Sequence, residues 1–164
     1  LYHDRIAKGY TKEEIMKSIY AKGRDNARTP MQWSAEKYGS FTTGTPWIGV
    51  NQNYTAINAQ SQINDNNSIY NYYKKIIGIR KQLDVLIYGD YRLCLEGHEN
   101  IFAYVRKSDK DMILVICNFT EKPTEYRLPD ELDNLKKELL IGNYPITLEG
   151  RLQPYEARMY QIIL

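Results

Sequence analysis

Residues 112–117 read Met-Ile-Leu-Val-Ile-Cys, an unbroken apolar run preceded by the turn-forming Ser108-Asp109-Lys110-Asp111. A run this short cannot cross a membrane. It has the pattern of a central strand covered on both faces. Short β-type runs flank it at 85–88, 91–96, 100–107, 124–128, 137–140 and 157–164, with Gly89-Asp90, Gly97-His98 and Gly142-Asn143 between them. In Ile101-Phe102-Ala103-Tyr104-Val105, successive residues face opposite sides of a sheet. Short strands at this spacing predict an antiparallel β-sandwich from about residue 85.

The preceding residues are different. Residues 1–8 read as the end of a helix stopped at Gly9. Thr11 opens a second helix and forms a capping box with Glu14, while Ile15, Met16 and Ile19 make an apolar stripe. Gly23 is the expected C′ residue. Asn67 or Ser68 caps a third helix, where Ile69, Tyr72, Tyr73, Ile76, Arg80 and Leu83 follow helical spacing. That stripe needs a partner, and none is evident in the chain. Residues 24–67 lack periodicity and are broken by Pro30 and Pro46. Irregular segments of this length are usually functional or disordered. Trp33, Phe41, Trp47 and Tyr54 argue against disorder. The organisation expected is therefore two domains, 1–84 and 85–164.

At 164 residues the chain is long enough to bury a core. Its net charge of +2 comes from dispersed Lys and Arg, so nucleic acid is not expected as a partner. Cys94 and Cys117 sit in strand-like contexts and read as buried free thiols of a cytoplasmic protein rather than a disulfide. No CxxC or HxxxH spacing occurs, so no metal is expected. No GxSxG, P-loop or GxGxxG fingerprint points to a cofactor. His98 reads as a solvated turn residue. The chain begins at Leu1, with a helix-like segment under way by Tyr2, and reads as the C-terminal piece of a longer protein.

The chemistry concentrates in Arg24-Asp25-Asn26-Ala27-Arg28-Thr29-Pro30-Met31-Gln32-Trp33. Guanidinium groups, a carboxylate, an amide and an indole are what a neutral, polyhydroxylated ligand requires. A plainer reading of Arg24, Asp25 and Arg28 is a loop held by an internal salt bridge. Trp33, Tyr38, Phe41 and Trp47 offer stacking for a sugar ring, or anchors for the loop on the protein beneath. Asn51 and Asn53 read as turn stabilisers. Glycoside hydrolysis needs a matched carboxylate pair, one of them held protonated. Glu13 with Glu14, Asp109 with Asp111 and Asp130 with Glu131 all lie in polar contexts and read as solvated, so no catalytic residue is assigned.

The 24–33 run, with Gly39-Ser40-Phe41-Thr42-Thr43-Gly44-Thr45-Pro46-Trp47-Ile48 and Val50-Asn51-Gln52-Asn53-Tyr54, resembles glycoside hydrolase family 13, the alpha-amylase superfamily, in its oligo-1,6-glucosidase and α-glucosidase branch. Ser68-Ile69-Tyr70, Ile79-Arg80-Lys81, residues 101–106, residues 115–120 and Leu152-Gln153-Pro154-Tyr155-Glu156-Ala157 also match. The resemblance covers nearly the whole chain. It implies an α+β piece: the last loop and helix of a (β/α)8 barrel followed by a C-terminal β-sandwich. The long 24–67 segment then belongs to a barrel active-site face, and the third helix lacks a partner because it covers a barrel.

The implied activity is that of the family: retaining, exo-acting hydrolysis of a terminal α-(1,6)-linked glucose from isomalto-oligosaccharides. The catalytic Asp, Glu and Asp lie in motifs that map to no position here, so this chain alone is expected to be inactive. The implied substrate-binding residues are Arg28, and after it Arg24 and Asp25, closing the subsite that holds the terminal glucose. Trehalose-6-phosphate hydrolases, dextran glucosidases and sucrose isomerases look similar over the same residues. A different class of reading is a non-catalytic carbohydrate-binding or interaction module. Titrated with isomaltose or maltose, this chain is expected to show no saturable binding at sub-millimolar concentration, because a terminal subsite without most of its wall offers too few contacts.

Overall fold

The computed structural model describes residues 2–163. The chain divides into two compact units that part between Tyr73 and Lys74.

The first unit holds three helices, α1 (Tyr2–Ala7), α2 (Lys12–Lys22) and α3 (Ala59–Ile63). At the start of α2 the capping box forms as the sequence requires. Thr11 Oγ1 accepts the Glu14 N–H at 3.2 Å, and Glu14 accepts the Thr11 N–H at 2.9 Å. Of the expected stripe only Ile15 is fully buried. Gly23 ends the helix in an extended conformation, φ −66°, and not in the left-handed one expected of a C′ glycine.

Helix α4 (Ile69–Gln82) runs across the division. Ser68 Oγ caps it by accepting the Asn71 N–H at 3.2 Å. None of its residues is fully buried. Ile69 is 71% exposed and Tyr73 63%, whereas Tyr72, Ile76 and Leu83 of the predicted stripe are half-buried.

The second unit is the antiparallel sandwich that the strand pattern implies. Strands β1 (Asp90–Cys94), β2 (Ile101–Lys107), β3 (Met112–Asn118), β5 (Lys136–Gly142) and β7 (Ala157–Ile163) form one sheet in the order β1-β2-β3-β7-β5. Strands β4 (Thr124–Glu125) and β6 (Arg151–Leu152) form a two-stranded second layer. The apolar run at 112–117 lies in β3, the middle strand, and both of its faces are covered. Leu114 and Ile116 pack with Ala103, Val105, Leu128, Leu132 and Leu152 on the inner face. Ile113 packs on the other with Val85 and Leu86, flanked by Ile79 and Leu83.

Residues 85–88 were expected as a strand but form a short helix, α5 (Val85–Tyr88). A four-residue apolar run carries no periodicity that separates the two states. Here local contacts decide it. Arg80 donates to the Leu86 carbonyl and Arg106 Nη2 to the Ile87 carbonyl, meeting acceptors at the helix C-terminus. Gly89 follows because a Cβ there would lie 2.6 Å from the Val85 carbonyl oxygen. The 124–128 run pairs only over Thr124–Glu125, and a helical turn, α6 (Asp130–Asp133), follows it.

Cys94 and Cys117 are free. Cys94 pairs with Ala103, and Ala103 with Ile116, so Cys117 points to the opposite face of the sheet. His98 is not a solvated turn residue. Half-buried, it accepts the Asn100 and Ile101 N–H groups on Nδ1 at 3.2 Å and so starts β2.

The inner face holds an ion pair that the pattern did not reveal. Arg158 Nε lies 2.7 Å from Glu156 Oε1, with side chains 1% and 0% exposed. Arg158 also donates to the Leu148 and Arg151 carbonyls, each at 2.7 Å, and Glu156 Oε2 accepts the Gln153 N–H at 2.7 Å. Burial is the largest single influence and opposes the charge on Arg158, but the hydrogen bonds and charges of Glu156 and Tyr160 together outweigh it and hold the guanidinium pKa above its usual value.

Glu156→Ala leaves a buried, uncompensated guanidinium and should cost about 3–5 kcal/mol in urea denaturation. Arg92→Ala removes an exposed bridge to Glu131 and should change stability by at most about 1 kcal/mol. Equal midpoints for the two variants would refute this ranking. Hydrogen bonds from the Thr11 N–H and hydroxyl hold the Glu14 pKa below the ordinary carboxylate range. A depressed folded pKa means stability present above the unfolded value and lost as pH falls through the folded one. Amide exchange at Thr11 and Glu14 should therefore accelerate in acid, and Glu14→Gln should flatten that dependence.

Candidate functional site

After Gly23 the backbone makes a single 3-10 turn, with Ala27 and Arg28 N–H groups donating to the Arg24 and Asp25 carbonyls at 3.1 and 3.0 Å. Arg24, Asp25 and Arg28 are all exposed. Among the described residues no ion pair joins Asp25 to either arginine, so the loop is not held by the internal salt bridge that the sequence allowed.

Amides hold it instead. Gln32 Nε2 donates to Asn53 Oδ1 at 3.2 Å and to the Ile57 carbonyl. Gln32 and Trp33 carbonyls accept the Ala59 and Gln60 N–H groups at 2.9 and 3.0 Å, tying the run to the start of α3. Asn58, 6% exposed, caps that helix through Ser61 and donates to the Tyr54 carbonyl. Asn53, read from sequence as a turn stabiliser, uses its side chain instead to anchor Gln32. Buried polar groups satisfied in this way rigidify a segment that has little apolar core.

The Trp33 N–H donates to the Gly39 carbonyl at 2.8 Å. Tyr38, Gly39 and Ser40 all have positive φ, at 56°, 62° and 55°. Three successive left-handed residues are costly and persist only where the surroundings over-determine them. The Ser34 and Ser40 hydroxyls are hydrogen-bonded to one another across this turn.

Arg28 lines a cleft of ≈370 Å³ together with Pro30, Met31, Phe41, Pro46 and Trp47. The structure brings Arg28, Phe41 and Trp47 together at this cleft; Arg24, Asp25, Trp33 and Tyr38 do not line it. Trp47 is 96% exposed, so its ring does not anchor the loop on protein beneath it, whereas Phe41, 50% exposed, has half of its surface covered. Tyr38 is half-buried and takes the Lys37 ammonium over its ring at 4.9 Å. No Asp or Glu lines the cleft. Its groups can donate hydrogen bonds and stack on an apolar face; they cannot move a proton between two carboxylates. No cluster of metal-ligating side chains occurs among the described residues, and no helix is long and apolar enough to cross a membrane.

Comparison with known proteins places the two parts of the sequence. Residues 3–89 match the family described as alpha amylase, catalytic domain. Residues 91–161 match maltogenic amylase, C-terminal domain. An oligo-1,6-glucosidase of Parageobacillus thermoglucosidasius is 47% identical over 100% of this chain and 30% of its own length. The crystal structure of Bacillus licheniformis trehalose-6-phosphate hydrolase superposes with a TM-score of 0.88 at 40% identity, over 98% of this chain and 30% of that one. The isomaltulose synthase of Klebsiella sp. LX3 gives 0.87 at 32% identity, over 99% and 30%. The chain thus spans about 30% of the length of the relatives it matches.

Gly39→Ala tests the strained turn. Its Cβ would lie 3.2 Å from Gln32 Cα in a left-handed conformation, and the variant should lose about 1–3 kcal/mol. Faster amide exchange at Trp33, Ala59 and Gln60 should accompany the loss; unchanged exchange at all three would show that the turn does not support the cleft.

Proposed function

Because this chain belongs to the alpha-amylase family, we propose that it forms the C-terminal part of a retaining, exo-acting α-glucosidase. The reaction is removal of a non-reducing terminal α-(1,6)-linked glucose from isomalto-oligosaccharides. The observation that carries this reading is the Arg28 cleft: guanidinium and aromatic groups on an amide-pinned loop, in a run of sequence that matches the family's catalytic domain.

In this reading residues 1–84 complete a (β/α)8 barrel and residues 85–164 are its C-terminal sandwich. Arg28 closes the subsite for the terminal glucose by donating to its hydroxyls; Arg24 and Asp25, which do not line the cleft, come after it as substrate-binding groups. Closing that pocket selects chain ends. The contribution is to binding and orientation, because the cleft has no carboxylate. A nucleophilic Asp, an acid/base Glu and a second Asp come from barrel strands beyond this sequence, so the 164 residues alone are inactive. The protein works in the cytoplasm on small oligosaccharides and needs no cofactor. Trehalose-6-phosphate hydrolysis is the second reading, supported by 40% identity to that enzyme against 32% to the isomaltulose synthase.

Hydrolysis of an aryl α-glucoside by the full-length product, and not by this chain, supports the first assignment. In the full-length enzyme Arg28→Ala should lower kcat/KM at least about tenfold, a loss of ~1.4 kcal/mol in transition-state binding, with Tm unchanged. A fall in Tm with activity per folded molecule intact would overturn the role given to Arg28. Comparing isomaltose with trehalose 6-phosphate as substrate separates the two readings.

A further inference from the structure

The second unit has a cavity of its own, of ≈310 Å³, where the end of α4 and α5 meet the large sheet. That volume is within the range of small-ligand pockets. None of its lining residues belongs to the Arg28 cleft. Antiparallel pairing sets Tyr91 of β1 opposite Arg106 of β2, and Tyr104 lies two residues before Arg106 on the same face. Arg80, in the last turn of α4, completes the polar lining, and Leu86 and Met159 are among the apolar groups.

The two arginines share this cavity without a counter-ion. Neither takes part in an ion pair among the described residues, and no carboxylate lines the cavity. Each is held in place by one carbonyl of α5, Arg80 by that of Leu86 and Arg106 Nη2 by that of Ile87. Arg106 Nε is closed off from solvent and has no hydrogen-bond partner among the described residues. Buried donors are nearly always satisfied, so this guanidinium keeps a partly desolvated charge that one carbonyl does not balance. Tyr104 is half-buried, and its hydroxyl has no partner among the described residues. Burial pushes its pKa up, and the pull of Arg106 and Arg80 does not reverse this, so the phenol stays a neutral donor.

Two cations and a phenol donor, with no acid among them, repel a metal ion, and a neutral molecule would leave their charge unbalanced. A carboxylate brings a single charge and two oxygens, which one guanidinium fork satisfies. A phosphate group brings more charge and more acceptor oxygens, and so can be shared by both forks and the phenol. We propose that this cavity is a phosphate-binding site, taking inorganic phosphate or a phosphate monoester. The class of ligand follows from the lining alone and does not rest on the reaction proposed above.

Titrating the ¹⁵N-labelled 164-residue chain with inorganic phosphate and with methyl phosphate, at constant ionic strength and mildly alkaline pH, tests it. Saturable shifts are expected at the Leu86, Tyr91, Tyr104 and Arg106 amides and at Arg106 Nε, with Kd in the millimolar range. Arg80→Gln should weaken binding at least about tenfold and Tyr104→Phe about fivefold, the loss of a charged and of a neutral hydrogen bond. Arg92→Gln, which removes an exposed charge from the opposite face of β1, should leave it unchanged. Spectra of the unliganded variants that match the parent away from the cavity check that they are folded. Tighter binding of methyl phosphate identifies an esterified ligand, and tighter binding of inorganic phosphate a free one. Absent shifts, an equal response to chloride, or an equal loss in Arg92→Gln would each overturn the proposal. Phosphate that binds this chain but not the full-length product would show that the rest of the protein fills the cavity, and would overturn it too. A full-length product without α-glucosidase activity that still binds phosphate here would refute the proposed reaction and leave this site standing.

Discussion

A guanidinium with almost no access to water organises the sandwich. Arg158 sits on β7 at an inward position where an apolar residue would ordinarily pack, and its charge is tolerable only because Glu156 and two carbonyls surround it. Those carbonyls belong to Leu148, in the connection leading into the second layer, and to Arg151, in that layer's strand β6. The same Glu156 fixes the Gln153 backbone, and Asn118, 3% exposed, donates to the Gln153 and Lys122 carbonyls. The two-stranded layer is too small to hold itself by pairing alone. It is placed by polar groups that reach it from the large sheet. Such a pair is weak as a source of net stability. Its effect here is to leave one arrangement of the loop in which every charge is satisfied.

The first unit uses neutral amides to the same end. Residues 24–67 bury few apolar side chains, yet Gln32, Asn53, Asn58 and Ser68 link successive turns into one hydrogen-bonded body. Fixing the backbone this way leaves large aromatic side chains free. Trp47 stays almost wholly exposed and Phe41 half-exposed, surface that a conventional apolar core would have covered.

Elements with a strong local signal were legible in the sequence. The capping box at Thr11 and Glu14, the cap at Ser68 and the two-faced strand at 112–117 rest on residues close together in the chain, and all formed. Short apolar runs were ambiguous. Residues 85–88 became a helix because Arg80, on the helix just before, and Arg106, distant in sequence on β2, meet its carbonyls. The buried pair was invisible for another reason: Glu156 and Arg158 alternate with small and apolar residues as exposed strand residues do, and only the second layer makes their side of β7 an interior. At the cleft, the family resemblance pointed to Arg28, while composition left Trp33, Tyr38, Phe41 and Trp47 open as stacking groups or as anchors. It also offered an Asp25–Arg28 bridge that the turn does not make, and it gave no sign that Gln32 and Asn53 would be the residues pinning the loop.

The large sheet has two free edges, β1 and β5. Strand β5 loses register with β7 between Leu139 and Ile141, and it opens with Lys136 and Lys137. An edge that is kinked by a bulge and carries charge is a poor template for another chain's strand. Crowded copies of this protein therefore meet an edge that cannot be extended in register, and the irregularity in β5 acts as a built-in brake on fibre-like self-association.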